Sequence, residues 1–375
     1  MFLVSKTEAQ SSVLNVADSL YNLGNYSAAI NEYAKAGTER ASFQIAKAYN
    51  AIGNYDKAIV QYENVVSKNP KFHLAKFNLA KLYLKMRKSQ QALSTFTTLI
   101  TPEGNNPEYY YYKGRALQDL QKDEEALIWY KKAVNTDSTH LRSIFKVGKY
   151  YVTKKQRDSA LQYVNKGLSF YKKDASLINL KALTLFNDEQ YQESISLFLE
   201  LLDLGERKPH VYNRLARAYF RAFEYEKSIE TYKNLIALEA VLMQTDPKTF
   251  NALAGVYVKN KQLDSARVYV QKAIDEQVYV LDVEYAILGH IARMKEDFKT
   301  AIKYYKLAHK ENPLDPIYYY QVCILGDIYY KDPKIKLQQY EALKEKYKNS
   351  NSNYFTAFAT RRISELKTDI FENGD

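Results

Sequence analysis

Apolar side chains along this chain recur three and four residues apart, the spacing of helices that bury one face. The helical stretches come in pairs separated by short polar turns, and the pairs repeat. Leu23-Gly-Asn-Tyr-Ser-Ala-Ala-Ile30 and Ile52-Gly-Asn-Tyr-Asp-Lys-Ala-Ile59 are near copies. Aligning on them exposes a column of small residues: Ala17, Ala46, Ala80, Gly114, Gly148, Ala182, Ala216, Ala254 and Gly289. The steps are 29, then 34 five times, then 38 and 35. A second column lies twelve residues later: Ala29, Ala58, Ala92, Ala126, Ala160, Ser194, Ser228, Ala266 and Ala301.

Two antiparallel helices packed face to face account for both columns. A small residue on each lets the backbones approach, while large residues one turn away fill the seam. Those large residues sit three after the first column (Leu20, Tyr49, Tyr83, Leu117, Tyr151, Leu185, Tyr219, Tyr257, with Ala292 the exception). Four after the second come Tyr33, Tyr62, Phe96, Tyr130, Val164, Phe198, Tyr232, Val270 and Tyr305. Each repeat therefore reads as helix A, a turn and helix B. Pro107, Pro209, Pro247 and Pro316 mark starts of A helices, where a missing N–H costs nothing, and Pro70 and Pro313 end B helices. The short first step predicts a clipped B helix near Ala36-Gly37, and the step of 38 an extra helical turn near Leu235–Thr245.

The period of 34, small residues at the eighth and twentieth positions, an aromatic at the twenty-fourth and a proline near the end resemble the tetratricopeptide repeat (TPR). The tryptophan usual early in helix A is missing; Trp129 falls in a B helix. The resemblance implies an all-α, right-handed superhelix of about nine to ten helix–turn–helix repeats. Residues 10–330 form the array, with repeats starting near 10, 39, 73, 107, 141, 175, 209, 247, 282 and 316. Residues 331–348 supply a last B helix, 349–353 a polar break, and 354–375 an amphipathic capping helix and tail. Residues 1–9, apolar then polar, read either as the back end of a secretory signal, which implies an exported or periplasmic protein, or as a frayed cytoplasmic N-terminus.

The resemblance also implies a concave face lined by A helices, chiefly through the second, fifth, ninth and twelfth positions. The fifth reads Leu14, Phe43, Phe77, Tyr111, Phe145, then Asn179, Asn213, Asn251, Ala286. The ninth reads Asp18, Lys47, Lys81, Arg115, Lys149, Leu183, Arg217, Gly255, His290. Phe43/Lys47, Phe77/Lys81, Tyr111/Arg115 and Phe145/Lys149 thus place an aromatic one turn before a cation on one helix face. Such a track suits an acidic segment with apolar or aromatic anchors. Asn179, Asn213 and Asn251 form an amide row able to pair with an extended peptide backbone, with Arg217 following Asn213. The alternative is that the rings pack between A helices and the cations keep the wall soluble. The pattern departs from that of the TPR proteins that clamp C-terminal carboxylates.

Composition adds limits. The chain has 375 residues, a net charge of +11 and 35 tyrosines against one tryptophan. The charge points to an acidic partner or to a lysine-rich solvated exterior. The single cysteine, Cys323, excludes an internal disulfide and a Cys-rich zinc site, and reads as a buried small hydrophobe. No phosphate loop, nucleophile elbow or metal-ligand spacing appears, so neither enzyme activity nor cofactor nor metal is expected. No apolar run is long enough for a membrane span. The expected function is a non-enzymatic scaffold binding an acidic or aromatic-containing peptide or protein. The alternative is a carrier of polysaccharide or single-stranded nucleic acid, but one ring per repeat is too sparse to stack consecutive bases. Oligomeric state is not readable from the chain.

Overall fold

The computed structural model describes residues 2–101, 105–276, 280–348 and 353–373, which form twenty-one helices and no strand. They divide into two compact units, 1–188 and 189–375.

The first unit holds α1 (Phe2–Asn22), α2 (Tyr26–Ala36), α3 (Glu39–Ala51), α4 (Tyr55–Lys68), α5 (His73–Lys85) and α6 (Ser89–Leu99). It continues through α7 (Pro107–Asp119), α8 (Asp123–Thr136), α9 (Leu141–Thr153), α10 (Arg157–Phe170) and α11 (Ala175–Asn187). Each consecutive pair is an antiparallel hairpin, and hairpins stack on their sequence neighbours. A helices also meet A helices, as α5 meets α7 and α9 meets α11, whereas no two B helices approach as extensively.

The second unit comprises α12 (Tyr191–Asp203), α13 (Pro209–Arg221), α14 (Tyr225–Val241), α15 (Pro247–Lys259) and α16 (Leu263–Glu276). After these come α17 (Asp282–Met294), α18 (Phe298–Glu311), α19 (Pro316–Tyr329), α20 (Pro333–Lys346) and α21 (Asn353–Asn373). Within it, α15 meets α17 in the same A-on-A fashion. Helix α21 packs on α20 and buries Ala359 and Leu366, and Arg362 Nε reaches Asp327 at 3.0 Å.

The small columns lie where the seams require them. All thirteen alanines and both serines in them are at most 1% exposed. At Gly114 a Cβ would stand 2.7 Å from the Tyr130 ring, so the aromatic at the twenty-fourth position occupies the space the glycine vacates. Serine is accepted in the second column because its hydroxyl bonds across the hairpin: Ser228 Oγ donates to the Ala216 carbonyl at 2.8 Å. Burying a large seam residue such as Tyr33, Phe96 or Phe198 stabilises the array by roughly 1.5–3 kcal/mol each.

The A–B turns share one device that the sequence shows at only two of them. In the first nine repeats their fifteenth position is left-handed: Gly24 and Gly53, then Arg87, Gln121, Lys155, Glu189, Phe223, Lys261 and Glu296, whereas Tyr330 of the tenth is extended. The next N–H reaches back to the last turn of helix A, as Lys88 N–H does to the Tyr83 carbonyl at 2.8 Å and Gln262 N–H to that of Tyr257 at 2.9 Å. This 6→1 closure satisfies an orphan carbonyl and fixes the hairpin angle.

Helix α2 has 11 residues and ends at Gly37 in the left-handed region, while α14 has 17, in line with the short and long steps. Pro107, Pro209, Pro247 and Pro316 sit in the first helical turn; Pro333 of α20 does too, capped by Asp332. Cys323 is fully buried, and burial pushes its thiol up to about 12. The polar break expected at 349–353 falls largely outside the described residues, as do the side chains on which the secretory-signal reading of residues 1–9 rests. No described helix is long and apolar enough to cross a membrane.

Candidate functional site

The eight residues of the aromatic–cation track all belong to the first unit, on α3, α5, α7 and α9. Their rings turn into the seams. Phe43 is 7% exposed, its centroid 4.9 Å from Phe72 and 5.9 Å from Tyr62. Phe77 is half-buried among Phe96, Tyr109 and Tyr112, with centroids 5.3–6.0 Å away. Tyr111 is 7% exposed, against Tyr130 and His140, and burial raises its hydroxyl above the usual range. Phe145 is half-buried.

The cations stay nearer solvent. Two of the expected pairs form: Lys47 Nζ lies 6.0 Å from the Phe43 centroid and Lys81 Nζ 5.3 Å from that of Phe77. Lys47 is still nearer Tyr21, at 5.1 Å. The other two pairs are rearranged. Arg115 stands over Tyr112 at 5.8 Å rather than over Tyr111, and Tyr111 receives Arg142 at 4.7 Å instead. No ring–cation contact joins Phe145 to Lys149 among the described residues. The reason is helical geometry: a residue four places on is rotated about 40° from the first, so a ring turned into the seam leaves its cation behind.

Tyr112 is the hub that the two columns did not reveal. Lys81, Arg115 and Arg142 all approach its ring within 5.8 Å, and Arg142 donates to its hydroxyl at 3.3 Å. It occupies the sixth position, where the repeats carry unlike residues, so no periodic signal marked it.

Between α3 and α5 the cations converge on a cavity of about 270 Å³ bounded by Lys47, Lys81, Lys85, Asn50, Asn78 and Tyr21, among others. No carboxylate lines it. Lys47, Lys81, Lys85, Arg115 and Lys149 form no ion pair among the described residues, although sixteen such pairs are present elsewhere. A smaller cavity of about 90 Å³ holds Lys146 and Lys149 with Gln118, Asp123 and Tyr150. Lys146 donates to Gln118 Oε1 at 2.7 Å. Burial, then the nearby Arg115 and Lys149, push its ammonium below the usual lysine value. Lys85 and Lys146 lie four and one residues past the ninth and fifth positions, in columns with no shared chemistry.

The asparagines divide between the units: half-buried Asn179 on α11 in the first, Asn213 on α13 and Asn251 on α15 in the second. Asn251 is already engaged. Its Nδ2 donates to Glu284 Oε1 on α17 at 2.5 Å, so this member bridges two A helices and keeps only its oxygen unpaired. Arg217 is exposed on α13. No group of three or more His, Cys, Asp or Glu side chains able to hold a metal occurs among the described residues.

Tetratricopeptide repeat family models match residues 49–116, and again 107–140 and 209–241. The chain thus carries tetratricopeptide repeats over those residues. Its fold class is the all-α TPR solenoid, and that fold supports a protein-interaction scaffold role of a kind that is generally non-enzymatic. Among curated TPR relatives, tetratricopeptide repeat protein 21B of Mus musculus is 24% identical over 211 residues, 55% of this chain and 13% of that protein. The Homo sapiens protein of that name is 23% identical over 256 residues, 62% of this chain and 17% of its own length. The chain thus spans less than a fifth of either. Among solved structures, the C-terminal part of a TPR protein from Cytophaga hutchinsonii has a TM-score of 0.49 and 17% identity, covering 75% of this chain and 99% of its own. A TPR protein from Parabacteroides merdae has a TM-score of 0.48 and 16% identity, covering 76% and 98%.

Proposed function

We propose that this TPR protein is a scaffold whose first unit binds an extended acidic peptide, or an acidic segment of a partner protein, along α3, α5, α7 and α9. The observation that carries this reading is the row of cations without carboxylate partners, three of them around one cavity. Unpaired like charges held close together raise the local positive potential, which costs the free protein and is relieved by a bound anion. The half-buried Phe77 and Phe145 leave partial faces beside those cations for an apolar or aromatic anchor. Asn179 in the first unit, and Asn213 and Asn251 in the second, would each offer an amide to a peptide backbone, Asn251 through its oxygen. Burial of Phe43 and Tyr111 counts against the polysaccharide or nucleic-acid carrier, which needs open ring faces at every rung.

The test is a fluorescently labelled, capped peptide of alternating Glu and Phe, titrated by anisotropy. Wild type should bind it saturably and lose affinity as salt rises. The Lys47→Glu, Lys81→Glu, Arg115→Glu, Lys149→Glu variant should lose binding while its helical circular dichroism and unfolding midpoint are retained. Undiminished binding by that variant would overturn the proposal.

A further inference from the structure

The second unit holds a cavity with a different chemistry, and a glycine explains it. Most mid-helix glycines here are forced by packing: a Cβ would stand 2.7 Å from Tyr130 at Gly114, 3.0 Å from Val164 at Gly148 and 3.0 Å from Tyr305 at Gly289. Gly255, inside α15, obeys neither that rule nor a conformational one. Its backbone is helical, and a Cβ there would meet nothing within 4 Å. A glycine at such a place weakens the helix and gains no packing in return. What it creates is space. That space belongs to a cavity of about 390 Å³ between α13, α15, α17 and α19, walled by Phe220, Val258, Ile287 and Tyr318. Its floor is deepened again at Ala286, the fifth position, where repeats two to five carry Phe or Tyr. The Tyr318 wall is fixed by its hydroxyl, which donates to Asp282 Oδ2 at 3.0 Å.

The polar groups on the lining are Lys259 and His290, and no carboxylate is present. The volume falls in the range of roughly 300–1,000 Å³ typical of ligand pockets. The mouth is open: Val283 on its rim is 48% exposed. An acyl chain laid there would keep much of its length in water, whereas a single side chain would not.

We infer that this cavity is a second peptide-binding site, taking one bulky apolar side chain, aromatic or large aliphatic, over Gly255 and Ala286, with an adjacent carboxylate of the same peptide against Lys259 and His290. The site lies wholly in the second unit and does not rest on the basic track of the first. Gly255 and Ala286 act as its specificity determinants, since their missing side chains set its depth.

Three probes decide the matter on the full-length protein carrying ¹³C-labelled Val and Ile methyls: capped Gly-Trp-Glu-Gly, capped Gly-Ala-Glu-Gly and sodium decanoate. The tryptophan peptide should shift the Val258 and Ile287 methyls saturably, and the alanine peptide should bind about tenfold or more weakly, the loss expected for one large buried side chain. Gly255→Ala should raise the unfolding midpoint and weaken the tryptophan peptide; Gly255→Leu should abolish its binding. Should Gly255→Leu not fold, Ala286→Phe fills the same space from α17. Equal responses to the two peptides, a response to decanoate alone, or unchanged binding by the filled variants would each overturn the inference. The charge-reversed variant of the first unit should keep this response in full, so failure of one site is read separately from failure of the other.

Discussion

The side-chain amide of Asn251 donates to the carboxylate of Glu284 at 2.5 Å, tying α15 to α17 across one repeat. Glu284 is 1% exposed and its other oxygen, Oε2, is buried without a partner. Removing from a buried carboxylate its one donor among the described residues costs more than the bond itself contributes. Asn251→Ala should therefore destabilise the second unit by about 1–3 kcal/mol, measured by chemical denaturation. Combined with Glu284→Ala, the loss should be less than additive, because the second change removes the stranded charge.

The three lysines around the α3–α5 cavity should contribute singly and modestly to binding. Lys47→Ala, Lys81→Ala and Lys85→Ala are each expected to weaken the acidic peptide by roughly 2- to 5-fold, the range for solvent-screened charge pairs worth about 0.4–1 kcal/mol. Lys68→Ala on the exposed surface of α4 should leave affinity unchanged. Equal effects at all four lysines would mean that overall charge, not the cavity, attracts the peptide.

Lys261 is exposed and held at φ 61°, a left-handed conformation that disfavours any side chain with a Cβ. Glycine relieves that cost and gives back part of it through the unfolded chain. Lys261→Gly should stabilise the protein by about 0.5–1 kcal/mol, and Gly53→Ala at the same turn position should destabilise it by a similar amount. Calorimetric midpoints would read both.

Glu239 on α14 is 6% exposed. Burial, aided by the nearby Asp246, raises its carboxyl above the ordinary value, against the hydroxyl bond from Thr249 at 2.9 Å. With the folded value raised, the charged form is penalised only in the fold. That penalty is absent below the unfolded value of about 4.3, where both states are protonated, and is full above the folded value. Glu239→Gln should thus raise the unfolding midpoint at pH 7, with the gain shrinking as the pH is lowered toward 4. A gain that grows on acidification would show that the carboxylate is stabilising instead.

Nearly all of the fold was legible because each seam is built from residues a fixed step apart on one helix face. Ala46 and Ala58, or Gly114 and Tyr130, meet as their spacing requires, since small-against-large packing has one solution when two helices lie antiparallel. The left-handed turns were less legible. Glycine marks only Gly24 and Gly53, and the later turns impose the same backbone on Arg87, Gln121 and Lys155 through the packing on either side.

The candidate site was legible only as columns. The sequence by itself determined the helices, their pairing and the positions of the cations along the A helices, all consequences of local periodicity. Whether a fifth-position ring faces solvent or seam was decided by the tertiary structure, because that depends on a few tens of degrees of rotation and on what the next hairpin offers. Packing turned Tyr111 inward and gave Arg115 to Tyr112, and it committed the Asn251 amide to Glu284. It also left Gly255 facing open space, which no repeat alignment distinguishes from the glycines that packing demands.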